Sequence, residues 1–443
     1  MKQKGVREMT KKFLGYALPS ALAMFISSLY TVIDGIFVGQ GVGDLALAAV
    51  NIVIPLTIML FGMATMFAVG GGALISKNFG SGDTERANLM FRQVFKFLLI
   101  ISLVISIICV TFAGPIVKGL GATPDLYDSA KTYLRFYSLF CIPNIIGIAL
   151  NSFIRNDGNP KLAMIATISG AITNIVLDYL FIFPLQLGLF GAAMATGLGQ
   201  LVTVSIILIH FMKHKGQLRF GNVKLDFTII KEFSSIGFPS FFAEAAFSII
   251  IYLTNIALIM TVGEAGITTY SIINYLTTPI YLLLLGLAFG AQPLISYHFG
   301  AKEQEPMMKY YRMSNITNYI INVLFIAICF FFGRQIISIF TQDQMILDMA
   351  YVGLNIVNAA FIIIGVNLYT TIYYQAIETP KYSNILCACR SIIFLPIVLL
   401  ILNKLIGLHG IWATLFVSEL LAMLSFLIFT QMKAITTKAI QLA

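Results

Sequence analysis

Three acidic side chains stand in stretches that are otherwise apolar. Asp34 closes a run from Leu14 to Gly39 that carries Pro19 near its start. Asp178 lies inside TISGAITNIVLDYLFIF with Asn174 four residues before it, and Glu244 follows Pro239 by five residues. An aspartate at the centre of a membrane-spanning helix costs roughly 2.5–3.5 kcal/mol on insertion scales, so such a group faces a cavity or a partner. The spacing of Asn174 and Asp178 puts both on one helix face, where the amide can hold the carboxyl or a cation. Paired carboxyls can carry a proton, taking it up when enclosed and releasing it when opened to water. The same oxygens with Asn174 can hold sodium, so Asp34, Asn174 and Asp178 are also a possible metal site. For Asp34 the competing reading is an interfacial residue beside a loop that begins at Gly35.

Glu244 is read as the only acid well inside a run of the second half, able to bind a cationic substrate or a proton. The tenth apolar run carries Asn355, Asn358, Asn367, Tyr369, Tyr373, Tyr374 and Gln375, a series fit to line a cleft for a flat organic molecule or to bond neighbouring helices. Arg135 enters from the outer side, where it either pairs with Asp34 or Asp178 or snorkels to the interface. Pro19 and Pro239 mark candidate helix bends. A phosphate-binding loop, H-E-x-x-H and G-x-S-x-G are all missing from the sequence, which argues against an enzyme and a resident cofactor.

The elements that must position these groups are spanning helices. With 58% hydrophobic and 11% charged residues and a mean hydropathy of +0.90, the 443-residue chain is an all-α polytopic membrane protein. Its net charge of +9 is spread over short breaks between apolar runs, a topology signal and not a nucleic-acid patch. Twelve runs are expected, at 13–38, 46–76, 94–117, 129–153, 162–185, 188–212, 233–260, 267–297, 313–333, 346–376, 383–403 and 408–431. Counted along the first and fifth runs, Asp34 and Asp178 lie about 30 and about 24 Å from the cytoplasmic side, at a similar level. The five cysteines are read as reduced packing residues.

The two halves repeat. At a shift of 220 residues Pro19-Ser20 falls on Pro239-Ser240, Gly70 on Gly290, Leu74-Ile75-Ser76 on Leu294-Ile295-Ser296 and Phe79-Gly80 on Phe299-Gly300. The expectation is two six-helix bundles, 1–212 and 233–443, joined by a cytoplasmic linker 213–232 and related by an axis along the membrane normal. One chain then supplies both walls of a cleft, which fits a monomer surrounded by membrane lipid. Lys and Arg gather before the first run and in alternate loops, from Lys2, Lys4 and Arg7 through Lys77, Arg155 and Lys213 to Lys433 and Lys438. The opposite loops carry acids such as Asp44 and Asp343, so both termini are placed in the cytoplasm.

With the Pro19 to Asp34 spacing, the Asn174-x-x-x-Asp178 pair, the six-plus-six layout and the loops KNFGSGDTERA and YHFGAKEQEPM, the sequence resembles the multidrug and toxic compound extrusion (MATE) family, in its bacterial DinF-like or MepA-like branch. The resemblance implies a secondary active exporter of the bacterial inner membrane. It would expel cationic or amphipathic organic compounds by antiport with protons or sodium, through alternating access of the two lobes. It further implies cation coupling at Asp34, Asn174 and Asp178 and a bend at Pro19. Glu244 resembles the helix-seven glutamate of a NorM-like branch, although this chain has no acid well inside its tenth run. A lipid-linked oligosaccharide flippase of the same superfamily is the alternative, and would need basic residues such as Arg135 and Arg390 within the cleft.

Overall fold

The structure, a computed structural model, describes residues 2–442. Positions 1 and 443 and the side chains of 2–5, 44, 247, 248 and 432–443 lie outside what is described, and with them the charges assigned to Lys2, Lys4, Asp44, Lys433 and Lys438.

The described residues are helical and contain no strand. The first half comprises α1 (Lys2–Gly41), α2 (Asp44–Gly80), α3 (Thr84–Thr111), the short α4 (Ala113–Gly119), α5 (Pro124–Leu139), α6 (Cys141–Asn156), α7 (Pro160–Ile182) and α8 (Gly188–Met212). The second comprises α9 (Phe227–Val262), α10 (Glu264–Gly300), α11 (Gln304–Ile337), α12 (Gln344–Ala376), α13 (Pro380–Ala388), a π-helical stretch (Cys389–Phe394), α14 (Leu395–Ile406) and α15 (Leu408–Leu442). Eleven spans are single helices or the continuous run Pro380–Ile406, and α5 with α6, bent by 53°, makes the twelfth. The expected all-α, twelve-span fold is thus observed.

Local chemistry sets the helix ends. Asp83 accepts from Arg86 N, Asn159 from Leu162 N ahead of Pro160, and Asp343 from the amides of Met345 and Ile346. The third and fourth spans show how the bounds depart from the periodicity. The third span starts at Thr84, because Ala87, Asn88, Met90 and Phe91 are buried although the segment is charged. It ends at Thr111, where Phe112 turns the chain into α4. The fourth breaks at Phe140, before Pro143 in the first turn of α6, which cannot donate a helical hydrogen bond.

Polarity is inverted relative to a soluble fold. Phe331 and Leu400 are exposed, as lipid-facing residues are, whereas Asn318, Asn322, Asn358 and Gln375 are buried, with Asn318 bonding across helices to the Ile362 carbonyl and Gln375 to Ser240. Two main cores form. One gathers α10, α11, α12 and α15 with Phe13, Ala17 and Ala21 of α1. The other gathers α2, α3, α6 and α8 with Ile230, Phe233 and Ile236 of α9. Each half therefore takes the beginning of the other half's first helix into its core.

Glycines permit this exchange. A Cβ at Gly290 would press on Ala17 and the Tyr16 carbonyl, and one at Gly237 would run into the Met66 carbonyl. A symmetric pair follows, Gly80 against the Tyr297 carbonyl and Gly300 against the Lys77 carbonyl. Lys77 also reaches Glu378 of the other half, Nζ to Oε2 2.5 Å. Glu378 has φ 55°, a left-handed conformation that the first repeat fills with Gly158 (φ 90°). Burial pushes the Glu378 carboxyl above its ordinary value, with Lys77 pulling the other way.

The segment between α8 and α9 is tied to the first half. The buried Asp157 carboxylate accepts from Gln217 N at 2.7 Å and Leu218 N at 3.0 Å and meets His210 Nε2 at 2.9 Å. Lys96 and Gln93 of α3 bond to the carbonyls of Val223 and Lys224.

Candidate functional site

The first half encloses a cavity of about 400 Å³ lined by Tyr30, Asp34, Asn174, Gln200, Tyr137 and Arg155 among others. α1 brings Asp34 to it and α7 brings Asn174. The two helices lie close because Gly41 leaves no room for a Cβ against Ile182 and Phe183. On the far side of α7, Gly170 packs on the Gly199 carbonyl and Thr203 of α8, which brings Gln200 within reach of the cavity.

Asp178 is fully buried and Asn174 nearly so, and Asn174 Nδ2 donates to Asp178 Oδ2 at 2.7 Å. The Asp34 and Asp178 side chains interact directly, and Tyr30 and Gln200 line the cavity wall beside them. Three buried oxygens have no donor: Asp34 Oδ1, Asn174 Oδ1 and Asp178 Oδ1. Two carboxyls can hydrogen-bond to one another only when one holds a proton, and a dehydrated set of three oxygens can equally receive a cation. The three residues singled out from the sequence for cation coupling are therefore neighbours in one site.

A second cavity, of about 150 Å³, lies in the other half and is lined by Glu244, Thr277, Tyr281, Arg390, Trp412 and Glu419 among others. Arg390, on the π-helical stretch, grips Glu419 with Nε at 2.7 Å from Oε2 and Nη2 at 2.8 Å from Oε1. Asn367 Nδ2 completes the arrangement, 2.6 Å from Glu419 Oε2. This corrects the reading of Glu244 as the only interior acid of the second half: Glu419 lies well inside the twelfth run, beside Ser418. Its position in that run was a sufficient signal.

The tenth span meets this cavity through Val357, Phe361, Ile364, Leu368 and Thr371. Asn355, Asn358, Tyr369 and Tyr373 are not among its lining residues. Asn355 bonds to the Tyr351 carbonyl at 2.9 Å, Asn358 and Tyr369 are buried, and the Tyr373 ring packs 4.9 Å from that of Tyr311. Pro19 and Pro239 stand inside continuous helices, α1 and α9. The Ser20 and Ala21 backbone, just past Pro19, lies against Gly286 of α10. Arg135 is exposed on α5, whereas Arg155, read from the sequence as a loop charge, is buried at the first cavity.

Twelve spans in two repeats, each with a largely apolar cavity that holds a few buried charged side chains, define a polytopic membrane transporter and not an enzyme. The MatE family model matches residues 19–180 and again 239–400, the same 220-residue shift that aligns Pro19 with Pro239, and the chain belongs to that family. It is 28% identical over 427 residues to the multidrug export protein MepA of Staphylococcus aureus strain N315, covering 94% of this chain and 93% of that protein. With MepA of Staphylococcus saprophyticus the identity is 26% over 427 residues, at the same coverage of both proteins. Among solved structures, the outward-facing form of a multidrug resistance MATE family transporter of the MOP superfamily superposes with a TM-score of 0.91 at 23% identity, over 97% of each chain. This last likeness bears on the fold alone.

Proposed function

We propose that the chain is a secondary active multidrug exporter of the bacterial cytoplasmic membrane. In this reading it expels cationic or amphipathic organic compounds in exchange for protons or sodium, and Asp34, Asn174 and Asp178 form the coupling site. The observation that carries the reading is the buried contact of Asp34 with Asp178, backed by Asn174, where Asp34 and Asn174 line a chamber large enough for an organic molecule. The MepA relatives support the substrate class. Lobes 1–212 and 233–443 rock about the cleft between them, the linker 213–232 stays with the cytoplasmic side, and a single chain suffices. Contacts at Gly80, Gly300 and Lys77–Glu378 close the end bearing both termini, which is the cytoplasmic end by its lysines and arginines.

Coupling follows from exchange at one site. Sodium can engage all three orphaned oxygens, and either sodium binding or protonation offsets the negative charge of the carboxylates in the chamber, so a bound cation is released outward. Pro19 lies where α1 passes from the second half's core to the first half's cavity, and a bend there lets the site reshape when its charge changes. Glu244 in the second cavity serves as a further acid for substrate or ion.

Dye efflux from proteoliposomes under separately imposed pH and sodium gradients tests the reading. Correctly inserted Asp34→Asn and Asp178→Asn variants should each lose gradient-driven efflux; wild-type rates in both would refute the assignment. The flippase alternative draws less support, because Glu419 neutralises Arg390 and Arg135 is exposed, which leaves Arg155 as one unpaired cavity arginine against the several charges of a pyrophosphate.

A further inference from the structure

Arg155 stands apart from other largely buried basic groups such as His210 and Arg390, which each meet a carboxylate. It is 8% exposed, lies on α6 where it lines the first cavity, and its Nε is buried without an acceptor. No carboxylate among the described residues pairs with it, unlike Arg390, which Glu419 neutralises. Its one bond is from Nη1 to Asn151 Oδ1. Asn151 is held in turn, donating to Thr167 Oγ1 at 2.9 Å and the Ala163 carbonyl at 3.1 Å of α7. A guanidinium has five donors, and a buried charge without a counter-ion, with even one donor left without an acceptor, costs free energy that packing does not return.

The internal repeat supplies a control. Position 155 corresponds to Gln375 at the 220-residue shift. Gln375 is fully buried, neutral and satisfied, its Nε2 donating at 3.0 Å to both the Ile236 carbonyl and Ser240 Oγ of α9. The first half's equivalents, Tyr16 and Ser20, bond to each other instead, Ser20 Oγ to the Tyr16 carbonyl at 2.9 Å. The fold thus meets the needs of this position with a glutamine, and the arginine adds a charge that faces the chamber. Thr167, at the level of Arg155, is eleven residues before Asp178 on α7. That is about 16 Å of helix, so an anion at Arg155 is clear of the Asp34–Asp178 carboxyls.

We propose that Arg155 forms an anion subsite in the cavity of the first half, which holds the carboxylate of organic substrates that carry one. The proposal rests on that cavity being the substrate chamber. The planar fork of the guanidinium suits a carboxylate, which takes two parallel hydrogen bonds. Tyr30, Tyr137 and Phe61 on the cavity wall offer aromatic faces for the rest of the molecule.

The test is binding of rhodamine B, a zwitterion with a free carboxylate, and of its cationic ethyl ester to the purified protein in nanodiscs, by fluorescence anisotropy. Arg155→Gln, which copies the sister position, should lower the affinity for rhodamine B relative to the ester about tenfold or more. Arg155→Lys should fall between wild type and Arg155→Gln. Ester binding reports that each variant is folded. An unchanged ratio in Arg155→Gln overturns the proposal, as does equal loss of both dyes. Wild-type affinity for rhodamine B that falls when phosphatidylglycerol is added to the nanodisc would make a lipid phosphate the occupant and overturn it too. Failure of the wild type to bind either dye would count against the chamber itself, and so against the transport reading.

Discussion

Replacing Gly80 by alanine probes how the two halves close. The new Cβ would overlap the carbonyl oxygen of Tyr297 in the opposite half, with the Ala301 amide 3.0 Å away on the same side. Both obstacles are backbone, so relief requires the ends of α2 and α10 to separate. Overpacking of this kind costs about 1–3 kcal/mol. Alanine also favours a helix over glycine by up to about 1 kcal/mol, but α2 stays helical whether the halves are closed or parted, so that gain cancels from the equilibrium between the two forms. The closed form should lose about 5- to 150-fold in relative population. Spin labels at the exposed positions Glu85 and Gln304, in a background without the native cysteines, report the separation by electron double resonance. Gly35→Ala is the control, since nothing lies within 4 Å of its Cβ. A Gly80→Ala distance distribution identical to the control would refute the reasoning.

Other consequences follow from the buried charges. Glu419→Gln strands the Arg390 guanidinium, whose side chain is 12% exposed, and should destabilise the protein by about 3–5 kcal/mol, read as a lowered melting temperature in detergent. Adding Arg390→Met should recover much of that loss. Lys77→Met removes the cation that opposes burial of Glu378, so the carboxyl moves further above its ordinary value. A group raised in the folded state contributes its full stability below its unfolded value and loses it as pH rises, so the variant should melt earlier than wild type at neutral pH. The gap should narrow on acidification, and a gap independent of pH would contradict the account.

Much of this was legible in the sequence because membrane helices obey simple geometry. The rise per residue alone placed Asp34 and Asp178 at one level, and the structure joins them. The 220-residue shift emerged from a few prolines and glycines, and those glycines mark where the halves touch. What periodicity does not reveal is which way a helix faces. Arg155 precedes the turn at Asp157-Gly158 and reads as one more basic loop residue, yet its face of α6 turns inward. Asn355, Asn358, Tyr369 and Tyr373 look like a cleft lining as a series, but an apolar stripe from Val357 to Leu368 meets the cavity beside them. Glu419 carries its own signal, since an arginine at position 390, one span earlier, calls for a buried acid as its partner.

If Asp34 and Asp178 exchange a coupling ion against substrate, as proposed, the ion must leave as substrate binds, and its release is the direct measurement. A cationic dye added to purified protein in weakly buffered detergent should release protons, read with a pH indicator, or bound sodium, read with a radiosodium label. The Asp34→Asn/Asp178→Asn double variant should release neither. Release of neither ion from the wild type, or equal release from the double variant, would contradict the exchange.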